Sequence, residues 1–484
     1  MRDVRTYNRW LVVAGALIVQ VSLGAVYIWS VFQTPLLGIF PGWSEAQVTL
    51  PAQIVIATFA LAVIFGGQVQ DRLGPRGVGT IGGVVLGTGL ILAGMTGNFS
   101  EEVALYWLVG TYAVLGGIGI GMAYVCPIAT CVKWFPDRRG LITGLAVAGF
   151  GAGAFFFAPL ARALITGGSY QLFGIGLFPL PQAGVFGTFT VLGCIFLVAV
   201  VLGAQLLRNP PAGYCPPGWT PPAPAAGAVH AEFSPREMLR TPVFWVLWVT
   251  YLAGSTAGLM IIMKAAPIWQ SFSLATVAEI PVHHEHFVAV SSAAAMAVAV
   301  LAIFNAAGRI LWGRVSDTFG RERTLMLMFI LCGLLLLGLD SMRTYPLYLL
   351  GVSMIALCFG GYLALYPAMA ADYFGTRNIG VNYGLLFTAY GAGGLLGPHL
   401  AASLMHDAGG IEYQVRDATD TLATQLFQLG EYHTAFLVGG VICLAAAALT
   451  LAVRMPHAPL ADPARCGGMR PTMIQHVGQG SETA

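Results

Sequence analysis

The segment GGQVQDRLGPR (residues 66–76) closes one long apolar run and opens the next, and WGRVSDTFGRER (residues 312–323) does the same far down the chain. Each sets a glycine four residues before an aspartate, Gly67 before Asp71 and Gly313 before Asp317, then a second glycine, Gly74 or Gly320, then arginine. The likeness continues downstream. YVCPIATCVKWFPDRRGLITGLAVAGFGAGA (124–154) follows the same plan as LALYPAMAADYFGTRNIGVNYGLLFTAYGAGG (363–394), pairing Pro127 with Pro367, Trp134-Phe135 with Tyr373-Phe374, Gly140 with Gly380 and Gly144 with Gly384. Apolar chains share alanines by chance, but a Gly, Asp and Pro framework in one order marks an internal duplication.

Composition says what solvent the repeat faces. Of the 484 residues 57% are hydrophobic and 9% charged, against about 25% charged in soluble domains. A water-soluble globule and a disordered chain are both excluded. Apolar runs of membrane length lie at roughly 10–33, 48–69, 78–97, 103–131, 141–163 and 183–207, then at 242–268, 287–312, 324–342, 347–371, 382–404 and 433–454. The expected fold is an all-α integral membrane protein of twelve transmembrane helices in two pseudo-repeated six-helix halves. The halves span 1–207 and 242–454, joined by a Pro/Ala-rich linker at 208–241 and followed by a tail at 455–484. The first run is too long for a signal-peptide core and reads as a true span. The eight cysteines form no CxxC pair and read as small core residues. A net charge of +2 gives no reason to expect a nucleic-acid partner.

Orientation follows from Lys and Arg, which favour cytoplasmic loops. Eighteen fall on the side of the termini and three, Arg162, Arg343 and Arg416, on the other. Both termini are therefore expected in the cytoplasm, with the protein in a cell's inner membrane. Asp71 with Arg72 and Arg76, and Asp317 with Arg321 and Arg323, would sit where each half meets the cytoplasm. There a carboxylate can accept hydrogen bonds from a neighbouring helix and latch one conformation. The plainer reading is a charge cluster that only obeys the positive-inside rule.

Two cations, Lys264 and Arg309, remain inside spans. An arginine there costs about 2.5–3.5 kcal/mol on insertion scales, and its planar fork suits a carboxylate. Asn305 lies one turn before Arg309, on the same helical face. Snorkelling to the cytoplasmic interface is the competing account for Arg309, and snorkelling to the outer interface for Lys264. Tyr27, Tyr124, Tyr362, Tyr366 and Tyr390 supply hydroxyls within spans. With Arg309 they suit a small cavity of one charge, several donors and apolar walls, sized for a short carboxylate. Such a site between two six-helix repeats, near the bilayer midplane, is the pattern of secondary transporters. His283, His284, Glu285 and His286 read as an exposed pH-sensitive loop rather than a metal site. No P-loop, GxSxG or HExxH stands in a usable context, so an enzyme is not indicated and no cofactor is expected.

The paired Gly/Asp loops and the repeat resemble the major facilitator superfamily. More narrowly, NRWLVVAGALIVQVSLGAVYIWSVFQTPL (8–36), CVKWFPDRRGLITGLAVAGFGAGA (131–154), AGYCPPGW (212–219) and ADYFGTRNIGVNYGLLFTAYGAGGLLGP (371–398) are similar to its oxalate/formate antiporter family, related to bacterial lactate and other monocarboxylate carriers. The resemblance implies alternating access and a carboxylate held by Arg309 in the eighth helix, with Asn305 as its polar partner. It also implies substrate contacts at Tyr124 and at the pair Tyr362 and Tyr366. The oxalate exchanger carries a lysine in the eleventh helix, where this chain has Tyr390. Animal-type carriers place an aspartate where this chain has Asn305.

The expected function is thus secondary transport of small monocarboxylates such as lactate, pyruvate or formate, by proton symport or anion exchange, as a monomer in the lipid bilayer. Two alternatives stand beside it: an oxalate/formate-type dicarboxylate exchanger with Lys264 as second charge, and a transporter-like carboxylate sensor.

Overall fold

In lipid only a helix or a closed barrel satisfies all backbone N–H and C=O groups, so the long apolar runs become helices. The structure, a computed structural model, describes residues 7–172, 175–211, 214–216, 232–277, 280–416 and 422–453. Among the described residues eleven helices are long and apolar enough to cross a membrane. In the N-terminal half these are α1 (Arg9–Ile28), α2 (Gln47–Leu73), α3 (Pro75–Asn98), α4 (Glu101–Trp134), α5 (Arg139–Thr166) and α6 (Gly184–Leu206). In the C-terminal half they are α7 (Pro242–Leu274), α8 (His284–Phe319), α9 (Arg321–Ser341), α10 (Tyr345–Phe374) and α12 (His433–Thr450). The twelfth span, α11 (Ile379–Ser403), has ample length at 25 residues, but its glycines, Asn382, Tyr383 and Tyr390 dilute its hydropathy. That composition suits a helix packed against protein rather than lipid.

Within each half the heaviest packing is α3 on α6 and α8 on α10, with α4 on α2 and α3, and α7 on α11. Two seams join the halves, α5 on α8 and α2 on α11. Glycine makes them close. A Cβ on Gly144 would stand 2.0 Å from the Arg309 carbonyl oxygen, and one on Gly67 would stand 2.2 Å from that of Gly380. The ends of the bundle are called here the basic face, with the Lys/Arg excess, and the hairpin face.

Three features depart from the sequence expectation. The first span is not one helix: after Leu23 it tightens into a 3-10 segment, Gly24–Ile28, and resumes at Ser30–Ile39. A Cβ on Gly24 would meet the Phe150 carbonyl oxygen at 1.9 Å, so α1 and α5 touch backbone to backbone there. α4 contains a π-helical stretch, Val109–Leu115. And the all-α reading missed two antiparallel hairpins, β1 (Gly168–Leu172) with β2 (Ile175–Leu180), and β3 (His406–Arg416) with β4 (Leu422–Glu431). Each joins the fifth and sixth spans of its half. Val282, ahead of α8, bonds to the second hairpin, its N–H to Glu412 O at 2.8 Å and its carbonyl from Gln414 N at 2.9 Å.

Two cysteines expected in the core, Cys194 and Cys215, are exposed. At the far end of the linker, Glu232 accepts from the N–H groups of Thr376 and Arg377 ahead of α11. Most of the linker and the tail lie outside the described residues.

Candidate functional site

Arg309 sits in α8 with 1% of its surface exposed. Its Nε donates to Asn305 Oδ1 at 3.2 Å, one turn back, and its Nη1 to the carbonyl of Val147 in α5 at 2.6 Å. The second bond crosses between the halves. A guanidinium carries five N–H donors, so donors remain, and among the described residues it makes no ion pair. Room for it comes from Gly151: a Cβ there would lie 3.1 Å from Arg309 Cζ and 3.3 Å from Nη2. A buried cation without a counter-charge is costly unless an anion joins it.

Tyrosines from both halves surround this charge. The hydroxyls of Tyr27 (α1) and Tyr390 (α11) are 2.7 Å apart, bridging the halves. The charge of Arg309 acts on both hydroxyls and on that of Tyr124 in α4. Tyr124 is walled by Phe59, Phe150 and Phe387, its ring 5.0, 5.2 and 5.1 Å from theirs. Two fully buried tyrosines that sequence reasoning passed over, Tyr251 (α7) and Tyr383 (α11), complete the cluster, with the Tyr383 hydroxyl close to those of Tyr124 and Tyr251. One signal could have found Tyr383: it stands seven residues before Tyr390, on the same helical face.

Other expected contacts fall elsewhere. Tyr362 turns into the C-terminal half, where its ring stacks on Phe329 at 4.6 Å and fills the space over Gly254. Tyr366, four residues on, donates to Thr250 Oγ1 at 2.9 Å and stacks on Tyr251 at 4.1 Å, which puts it behind the cluster. Lys264 lies 22 residues into α7 and Arg309 ten residues from the end of α8, so at ~1.5 Å per residue they differ in height by roughly 18 Å. The second positive charge is therefore not beside the first.

At the basic face, Asp71 accepts from the N–H groups of Gly380 and Val381 at 3.0 and 2.9 Å, and Asp317 from those of Gly140 and Leu141 at 2.8 Å each. Each carboxylate thus caps the first turn of a helix in the opposite half, where the helix dipole favours negative charge. Arg321 pairs with Asp317 at 2.8 Å and with Asp372 at 2.9 Å, and Arg139 of the other half reaches Asp372 at 2.7 Å. The other arginines do not join in: Arg72 and Arg323 are exposed, and Arg76 donates to the Gln205 carbonyl. Arg139 and Asp372 were missed because they belong to neither loop motif.

The Major Facilitator Superfamily model matches residues 9–275 and 268–474. The chain belongs to that superfamily. This transporter is 29% identical to an uncharacterised MFS-type transporter of Escherichia coli, over 80% of its own length and 86% of the relative's. It is 28% identical to the oxalate:formate antiporter of Oxalobacter formigenes, over 83% and 86%, and 28% identical to apicoplast pyruvate carrier 1 of Toxoplasma gondii, over 83% and 75%. Among solved structures the proton:xylose symporter bound to 6-bromo-6-deoxy-D-glucose superposes with a TM-score of 0.59 at 13% identity, covering 93% of this chain and 96% of that one. That likeness shows the fold alone.

Proposed function

We propose that this transporter is a secondary carrier of small monocarboxylates, of the size of lactate, pyruvate or formate, working by alternating access. The observation that carries the reading is Arg309, buried between the halves with spare donors and, among the described residues, no carboxylate partner. One fixed cation neutralises one carboxylate and leaves a second costly to bury; Tyr27, Tyr124 and Tyr390 offer neutral hydroxyls around it. The names of the oxalate:formate antiporter and the pyruvate carrier support a carboxylate substrate. With Lys264 remote, dicarboxylate exchange has the weaker support.

The Lys/Arg excess puts the basic face in the cytoplasm, with the protein in a bacterial-type inner membrane. The cross-half bonds of Asp71 and Asp317 support a role for these carboxylates as latches that hold that face closed. No carboxylate contacts Arg309 among the described residues, and Asn305 takes no proton. Exchange of one anion for another therefore fits better than proton symport. In liposomes preloaded with lactate, labelled lactate should accumulate by counterflow, while an imposed pH gradient alone should drive none; uptake driven by the pH gradient and insensitive to internal lactate would overturn the exchange reading.

A further inference from the structure

The two hairpins occupy matching places in the repeat and differ in chemistry. From Ala163 to Leu207 the sequence has no Asp, Glu, Lys, Arg or His, whereas the second hairpin carries His406, Asp407, Glu412, Arg416 and Glu431. In β2, Ile175 is 64% exposed, Leu177 53% and Phe178 48%, and all residues from 175 to 179 are exposed, although the Phe178 ring lies 5.2 Å from that of Tyr170. A contiguous apolar patch of this kind marks an interaction surface.

Its depth indicates what covers it. Gly167 and Gly168, at φ 79° and 118°, reverse the chain at the top of α5 with backbone angles that suit glycine. The hairpin then folds back along the helix, and the Tyr170 hydroxyl donates to the carbonyl of Phe156 at 3.2 Å. Phe156 lies ten residues before the end of α5 at Thr166, which is ~15 Å down the axis at ~1.5 Å per residue. The 28 residues of α5 make ~42 Å, against a hydrocarbon core of about 30 Å. With that excess shared between the two ends, the Tyr170 hydroxyl on Phe156 lies below the level where the core ends, so the hairpin reaches into the outer part of the core beside the half-exposed Phe155 and Phe156. It also leads straight into α6, whose exposed Val191, Val198 and Leu202 share one apolar face.

We propose that hairpin β1–β2 is immersed in the lipid interface of the leaflet at the hairpin face, an apolar wedge that ties the N-terminal half to the bilayer, while the charged β3–β4 hairpin stands in water. The occupant is lipid, because the patch continues the lipid-facing surface of α5 and α6 and Tyr170, a residue type favoured at that boundary, fixes its height.

The test uses the full chain with Cys194, Cys215 and Cys466 changed to Ser, and Leu177→Cys carrying a nitroxide, in vesicles of phosphatidylethanolamine and phosphatidylglycerol. Leu202→Cys serves as the lipid reference and Glu412→Cys as the water reference. The Leu177 label is expected to relax more with oxygen than with a water-soluble nickel chelate, as the Leu202 label does, and Ile175→Cys should repeat the result. Preference for nickel, as at Glu412, overturns the proposal. Dipolar broadening that dilution with unlabelled protein removes also overturns it, in favour of a second copy of this chain on the patch.

Discussion

Arg309 depends on what its neighbours lack. Gly144 lets the α8 backbone approach and Gly151 leaves space for the guanidinium, so the small residues of GLAVAGFGAGA (144–154) serve the charge as well as the helix seam. The two glycines should respond differently to alanine. At Gly144 the new Cβ would meet a backbone carbonyl at 2.0 Å, which cannot yield without parting α5 from α8; Gly144→Ala should lower both the amount of folded protein and its transport, read by size-exclusion chromatography and uptake. At Gly151 the contact is with the end of a flexible side chain at 3.1 Å. Gly151→Ala is therefore expected to keep the fold and raise the KM for lactate severalfold, and an unchanged KM would mean that the guanidinium does not face the substrate. Arg309 and Asn305 were legible in the sequence because a charge inside an apolar run stands out. Val147 and Gly151 were not, since their part arises only when two spans distant in sequence lie side by side.

At the scale of elements, the cross-half caps explain why aspartate recurs at the end of the second span of each half. Hydrogen bonds to a charged group contribute about 1.5–3 kcal/mol each, and a carboxylate at a helix N-terminus adds about 0.3–1 kcal/mol. Asp317 is further tied through Arg321 to Asp372 and Arg139, whereas Asp71 makes no ion pair among the described residues. Asp317→Asn should accordingly shift the equilibrium toward opening of the basic face by about 1.4 kcal/mol, near tenfold, and by more than Asp71→Asn does. Spin-label distances across the basic face, measured between Arg72→Cys and Arg377→Cys, report the shift; a distance distribution the same as in the unmodified latch would count against a gating role. The helices themselves were legible from length and hydropathy. The hairpins were not, because SYQLFGIGLFPL (169–180) lacks the polar alternation of a strand and reads as an extension of the apolar runs on either side. α11 shows the converse: its low hydropathy reflects a helix packed on α2 and α7, and two of its polar residues, Tyr383 and Tyr390, line the site.

For the whole molecule, two seams of glycine contact, two carboxylate caps, the Arg139–Asp372 pair, one hydroxyl bridge and the Arg309–Val147 bond join the halves around Arg309, the one cation buried among the described residues. The architecture follows the repeat: duplication makes α2 equivalent to α8 and α5 to α11, so the α2–α11 and α5–α8 seams are equivalent contacts related by one axis. Which tyrosines face the charge depended on rotation about each helix axis: Tyr27, Tyr124 and Tyr390 lie within its field, while Tyr362 points into its own half. Under the proposed function an anion that neutralises the cation eases the movement between states, because the empty site would cross with its charge bare. Uptake of labelled lactate into liposomes by the wild type, Arg309→Lys and Arg309→Ala tests that claim most directly. Robust uptake is expected from the wild type, a loss of tenfold or more with lysine, which lacks the two-pronged fork, and no uptake with alanine in protein that stays folded by size-exclusion chromatography. Undiminished uptake by folded Arg309→Ala would contradict it.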